Sequence, residues 1–294
     1  MKTNSFIISL IFSVLFLSSC NTSKQNDFPS IKDRYFEQKL PDLIPEVFAP
    51  SIVSVEEFQS GISFSPNMKE IYFVRRGGKY EKRTNLVIQF ENNEWKKESV
   101  TNIRYPSFSP DGDTIFKGNK YRKRTKLGWS EPKSIGDQFK DIPIMRLSTS
   151  SIGTRYFDEA TEKGTIRFSR LIDGKYEEPQ IASKEINTGK WVAHPYIAPD
   201  ESYLMWDAER NGGYGDSDLY ISFRQKDGSW GAAINMGNKI NTVHQENGAQ
   251  VTPDGKYLFF WRGYEKFRED GSAYWVGNPY WLDVQIIENL RPKK

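Results

Sequence analysis

The sequence predicts an all-β protein built as one β-propeller of four-stranded blades, and three observations predict it. A short turn pattern recurs at Phe64-Ser65-Pro66-Asn67-Met68, Phe108-Ser109-Pro110-Asp111-Gly112, Ile197-Ala198-Pro199-Asp200-Glu201 and Val251-Thr252-Pro253-Asp254-Gly255, with a degenerate copy at Ser150-Ser151-Ile152-Gly153. Each copy is followed by an apolar, aromatic-rich stretch: 70–74, 113–117, 155–157, 203–206 and 257–261. Aromatic residues make up 14% of the chain, and these side chains favour pleated, half-buried surfaces.

The spacing of the copies identifies the architecture. Positions 66, 110, 151, 199 and 253 are separated by 44, 41, 48 and 54 residues, a period that belongs to four-stranded propeller blades. Five turns predict five blades, with six as the alternative if residues 45–58 contribute part of another. A chain of this length fits one domain when the domain is all-β or a repeat array.

Taken in chain order, the first element is a targeting segment. Met1-Lys2 precedes an apolar run from Phe6 to Leu17 and then Leu17-Ser18-Ser19-Cys20. That is a charged start, a hydrophobic centre and a small-residue cleavage site, too short to span a bilayer. The last four residues resemble the bacterial lipobox, in which cleavage leaves the cysteine first and its thiol acylated. Cys20 is the single cysteine of the chain, which an exported protein has reason to keep if it is lipidated. The expectation is therefore a signal peptide over 1–19, lipidated Cys20 with a flexible tether over 20–44, and the propeller over 45–294. An ordinary secretory peptide with an incidental cysteine is the alternative.

Within each blade, the turn motif suits a tight connection between two antiparallel strands. Proline presets φ, Asp or Asn bonds nearby backbone, and glycine accepts positive φ. Later strands follow at 165–170 and 218–223, with turns at Asp173-Gly174 and Asp227-Gly228. Trp95, Trp129, Tyr176 and Trp230 stand after these later loops, where an aromatic would staple neighbouring blades. A propeller must close to remove exposed sheet edges, so the strand around Ala49–Val55 is expected to pair near Trp281–Ile287.

With these turns and strands in place, the chain resembles the PD40, or WD40-like, propeller repeats related to the TolB propeller, from about Pro45 to the C-terminus. The Ser-Pro-Asp-Gly turns carry the resemblance. So do Pro45-Glu46-Val47-Phe48-Ala49-Pro50, Ile240-Asn241-Thr242 and the stretch from Asn211 to Asp218-Leu219-Tyr220. The resemblance implies a fold and leaves activity open.

Charge excludes little: 41 basic against 38 acidic residues give a formal +3, which offers no electrostatic case for nucleic acid. The two histidines, His194 and His244, lack metal-ligand spacing, so no metal site and no cofactor are predicted. Asp216-Ser217-Asp218 lacks the alternation of a calcium loop, and Asp218 reads as a turn residue. No Gly-x-Ser-x-Gly elbow or phosphate loop occurs.

Aligning the units by their turns places Gly61, Tyr105, Arg146, His194 and Gly248 on equivalent rungs of the innermost strands. Tyr105, Arg146 and His194, with Glu246 at the rim, are the candidate binding residues for the channel or its mouth. The function expected is a non-catalytic module anchored in the bacterial cell envelope, at the outer membrane, binding an envelope protein or glycan. The alternative is a glycan-active hydrolase or lyase using rim carboxylates, drawn from Asp158, Glu159, Asp207, Glu209 and Glu246. That would require a close carboxylate pair.

Overall fold

The computed structural model describes residues 28–293, so the signal peptide and Cys20 lie outside the described residues. The strands sort into five antiparallel units arranged as a propeller. The first contains Phe58–Phe64, Glu70–Gly77, Tyr80–Glu91 and Ser99–Val100. The second contains Ser107–Phe108, Thr114–Lys117, Lys120–Thr125 and Lys133–Ser134. The third is Ile144–Thr149, Arg155–Glu159, Ile166–Ser169 and Gln180–Ile181. The fourth is Lys190–Ile197, Tyr203–Glu209, Asp218–Phe223 and Ile234–Asn235. The fifth comprises Gln245–Val251, Tyr257–Phe267 and Ala273–Asp283, and its outer strand is Glu46–Val47 from the other end of the chain.

Ring closure therefore occurs by mixing the two ends of the domain within one sheet, but not at the residues expected. Glu46 faces Trp281 and Val47 faces Tyr280, whereas residues 49–53 turn back through amides of Ile52 and Val53 donating to the Ala49 carbonyl. Beyond Asp283 the chain leaves the sheet for a short helix, Gln285–Leu290, which buries Ile286 and Ile287. A second bond across the seam is the parallel pairing of Phe58 with Gly277.

The recurring turn works through its side chains. Ser109 Oγ donates to Asp111 Oδ1 (2.5 Å) and accepts from the Thr114 amide (3.0 Å), while Asp111 Oδ1 also accepts from the Asp113 amide. Thr252 and Asp254 repeat this arrangement, and Ser65 and Asn67 reproduce it with an amide in place of the carboxylate. The residue after Asp or Asn is left-handed in each: φ is +76° at Gly112 and +72° at Gly255, but also +55° at Met68 and +59° at Glu201. Two units thus bear this backbone conformation without glycine, which the side-chain bonds help hold.

The core lies between successive units. Phe64, Ile71 and Phe73 of the first unit pack with Phe259 and Trp281 of the fifth, and Phe116 and Ile135 of the second pack with Ile144, Leu147 and Phe157 of the third. Tyr156 and Ile166 meet Leu204 and Trp206 across the next junction, and Met205 and Ile221 meet Leu258 and Phe260 across the one after. Full burial of one such side chain is worth about 1.5–3 kcal/mol, so packing at the junctions contributes to holding the ring. Two of the expected staples cross a junction: the Trp129 indole N–H points to the Tyr72 hydroxyl at 3.4 Å, and Trp230 meets Tyr156 edge-on. A third, Tyr176, meets Phe139 of the segment linking the second and third units edge-on and packs on the cluster at that junction.

Residues 28–44, assigned to the flexible tether from sequence, are held against the propeller. Tyr35 is fully buried beside Tyr257 and Trp281, its hydroxyl donating to Asp254 at 2.9 Å, and Arg34 bonds the same carboxylate. Trp95, the fourth expected staple, donates its indole N–H to the Asp33 carbonyl of this strap. Polar residues concealed the strap because its anchoring depends on a few separate aromatics, Tyr35 and Phe36 among them, and on single hydrogen bonds rather than on a periodic apolar face.

Candidate functional site

Four of the five innermost strands are interrupted where they pass the axis, and the second unit's, Ser107–Phe108, begins just beyond the equivalent point. The ladder shifts register between Ser60 and Ser63, Ile144 and Leu147, Ala193 and Tyr196, and Asn247 and Gln250. Gly61, Tyr105, His194 and Gly248 have positive φ there, +67°, +48°, +51° and +66°. Such bulges re-aim a side chain and free backbone amides from the ladder. In four units the equivalent rungs found by aligning turns are these bulges, and in the second the rung, Tyr105, precedes the strand.

Two aspartates satisfy the freed amides. Asp158 accepts from the amide of Arg146 in its own unit (2.7 Å) and of His194 in the next (2.7 Å). Asp207, one unit on, accepts from the Gly248 amide (2.9 Å) and from His194 Nδ1 (2.9 Å). Each carboxylate therefore ties consecutive units together, and the second also orients the histidine. Both are buried, and charge-assisted bonds of this kind are about twice as strong as neutral ones.

Two adjoining chambers lie along the axis. An upper chamber of about 520 Å³ and a lower one of about 440 Å³ share Arg146 and Gln250 in their walls, and the Gln250 amide bonds the Ile62 carbonyl. Arg146 reaches over Gly248, where a Cβ would come within 2.7 Å of its guanidinium. Tyr105 likewise lies flat on Gly61, where a Cβ would stand 1.8 Å from its ring carbons. Both glycines are thus seats for side chains from other units.

The upper chamber brings together Tyr105, Arg146 and His194 with Arg83, Arg104 and Lys117. Phe58, Trp261 and Trp275 add an aromatic wall, and Ser60, Gln245 and Asn247 add neutral polar groups. Among the described residues, every charged side chain in this lining is basic. Burial lowers the pKa of the His194 imidazole, but the Asp207 and Asp158 carboxylates outweigh that and hold it above its ordinary value. Desolvation at the wall, then the Arg104 and Arg146 charges, push the Lys117 ammonium down. Cations crowd one another here.

Glu246 does not join this group. Its carboxylate is fully buried on the opposite face of the strand, accepting from Thr242 Oγ1 (2.6 Å), the Thr242 amide (2.9 Å) and Arg262 Nε (2.7 Å). Alternation along the strand sends Gln245 and Asn247 into the chamber and Glu246 away from it. Glu159 is likewise engaged by Arg167. Asp218, read as a turn residue, accepts from the Tyr214 and Gly215 amides of its own loop.

Sequence reasoning missed Arg83, Arg104, Lys117 and the aromatic wall, which come from strands and loops outside the turn alignment. It also treated Asp158 and Asp207 as rim carboxylates. Their shared place at the end of the apolar runs 155–157 and 204–206 was the signal that they perform one job.

No family model matches this sequence, and no curated protein matches it. Among solved structures, TolB from Acinetobacter baumannii aligns at 14% identity and a TM-score of 0.44, covering 77% of this chain and 54% of that one. The chain thus spans about half the length of that TolB. The catalytic domain of the Coprinopsis cinerea GH62 α-L-arabinofuranosidase aligns at 12% identity and a TM-score of 0.48, covering 83% and 95%. The gluconolactonase XC5397 of Xanthomonas campestris aligns at 8% and 0.45, covering 82% and 87%. Nothing about activity follows from likenesses this loose.

Proposed function

We propose that the chain is an envelope-anchored propeller of the PD40 type that acts as a recognition module, presenting its upper chamber to a negatively charged protein or glycan. One observation carries the reading: Arg83, Arg104, Lys117 and Arg146 converge on a chamber with no acidic side chain in its lining among the described residues. A concave site of one charge sign focuses the field and draws opposite charge. Acylation of Cys20 would hold the module at the membrane, since each buried CH₂ adds about 0.8 kcal/mol.

Catalysis by rim carboxylates has less support. Asp158 and Asp207 are engaged with backbone amides and the histidine, and Glu246 is saturated by Thr242 and Arg262. A glycosidase needs two carboxyl groups facing one bond.

The test is retention of the full-length chain, purified in mild detergent, on immobilised acidic and neutral glycans and acidic peptides at low and high salt. Salt-sensitive retention on an acidic set is expected, with loss in the Arg104→Glu, Lys117→Glu double variant. Equal retention on neutral glycans, or none on any acidic surface, overturns the proposal.

A further inference from the structure

We propose that the upper chamber binds an acidic sugar ring, with its carboxylate between His194 Nε2 and the Arg146 guanidinium and its hydroxyls on the amide side chains of Gln245 and Asn247. This rests on the chamber being an anion-recognising site.

The histidine is prepared for such contact. Asp207 occupies Nδ1, so Nε2 is the ring nitrogen left for a ligand, and the ring remains 24% exposed in the chamber wall. Arg146 has its backbone amide fixed by Asp158 and its guanidinium laid over Gly248, so the head group is placed rather than free. A planar fork beside an imidazole N–H matches the two oxygens of a carboxylate.

The rest of the lining distinguishes a sugar acid from a bare anion. A simple anion offers only acceptors and would need only donors. Gln245 and Asn247 supply carbonyl acceptors as well as N–H donors, which suits hydroxyl groups. Ser60 and Tyr105, bonded to each other at 2.9 Å, continue the polar edge, and Tyr105, Phe58 and Trp261 add aromatic surface to the wall. A volume of about 520 Å³ falls within the ordinary range for small ligands. The fit is to one sugar residue or the end of a chain.

The groups facing His194 set its pH response. Asp207 comes from the neighbouring strand of its own unit, and Asp158 and Arg146 both come from the preceding unit, while the strand of Gly248 contributes only an amide to Asp207. Protonation gives the imidazole a donor at Nε2, so affinity for a carboxylate rises as pH falls.

The full-length chain in mild detergent is titrated calorimetrically with D-glucuronate, D-glucose and a hexose phosphate, in mildly acidic and mildly alkaline buffer. Glucuronate is expected to bind about tenfold or more tightly than glucose, a margin typical of one charge-assisted contact. Its affinity should rise several-fold towards acid. His194→Asn should flatten that pH profile while keeping the fold, because Asn accepts the left-handed backbone at this position. Arg146→Gln should weaken glucuronate at every pH. Equal binding of glucose, or an unchanged pH profile in His194→Asn with native near-ultraviolet dichroism, overturns the assignment. Preference for hexose phosphate over glucuronate overturns the carboxylate assignment and leaves anion recognition standing. Failure of every acidic ligand removes both.

Discussion

His194 Nδ1 lies 2.9 Å from the Asp207 carboxylate, and the same carboxylate accepts the Gly248 amide of the next unit. One buried charge thus orients a chamber residue and fastens two blades.

Asp207→Asn should separate these duties. Its amide oxygen can still accept from Gly248, but the His194 imidazole loses the main charge that raises its pKa. The expectation is a lower His194 pKa by proton NMR and a stability loss of about 1–3 kcal/mol in urea unfolding. In the wild type, a raised folded pKa means that the Asp207 interaction contributes fully below the unfolded-state pKa of histidine. That contribution is lost as pH rises through the folded value. Denaturant midpoints should therefore fall on going alkaline through this window in the wild type, and less so in the variant.

Gly61 and Gly174 test whether the chamber depends on close seating. Both have positive φ, +67° and +75°, but a Cβ at Gly61 meets the Tyr105 ring while one at Gly174 meets nothing within 4 Å. Gly174→Ala should cost about 1 kcal/mol from backbone strain alone. Gly61→Ala should add about 1–3 kcal/mol of overpacking and displace Tyr105, visible as a changed tyrosine signal in near-ultraviolet dichroism.

Tyr35 measures the strap. Tyr35→Ala empties a site between Tyr257 and Trp281 and should cost about 3–5 kcal/mol by chemical denaturation. Tyr35→Phe removes only the bond to Asp254, which Arg34 still engages, and should cost about 0.5–1.5 kcal/mol. A strap that behaved as loose tether would leave both variants at wild-type stability.

Glu246→Gln should destabilise by about 1–3 kcal/mol, because it weakens the partner of the half-buried Arg262. Retention on acidic ligands should not change, since the side chain points away from the chamber. A specific loss of retention at unchanged stability would return Glu246 to the site.

Closure predicts an asymmetry between two deletions. Removing residues 280–294 takes away Trp281, fully buried and paired with Glu46, and should abolish cooperative unfolding. Removing Glu269-Asp270-Gly271, an exposed turn, should shift the thermal midpoint by only a few degrees, about what a 1 kcal/mol change produces in a chain of this size.

Much of the architecture was legible because its signals are local. Pro110-Asp111-Gly112 and Pro253-Asp254-Gly255 bend the chain through bonds within five residues, so their spacing reports the blade period directly. The same alignment brought Tyr105, Arg146 and His194 to one rung, where they line one chamber. Glu246, chosen as a carboxylate at a strand end near the rim, lies on the face opposite Gln245 and Asn247, because neighbouring residues of a strand point to opposite faces. The closing strand, expected at Ala49–Val55, lies at Glu46–Val47, since a two-residue pairing leaves no run of alternating residues to read.

The sequence by itself determined the sheet class, the repeat and which residues of the inner strands stand on equivalent rungs. These depend on proline, glycine and aspartate chemistry confined to a few neighbouring residues. Only the tertiary structure decided that Asp158 and Asp207 serve amides of the next unit, that Arg146 and Gln250 stand where the two axial chambers adjoin, and that Arg83, Arg104 and Lys117 share a wall with His194. Those relations join residues tens to over a hundred positions apart, and their partners are chosen by ring closure and by which face each strand turns inward.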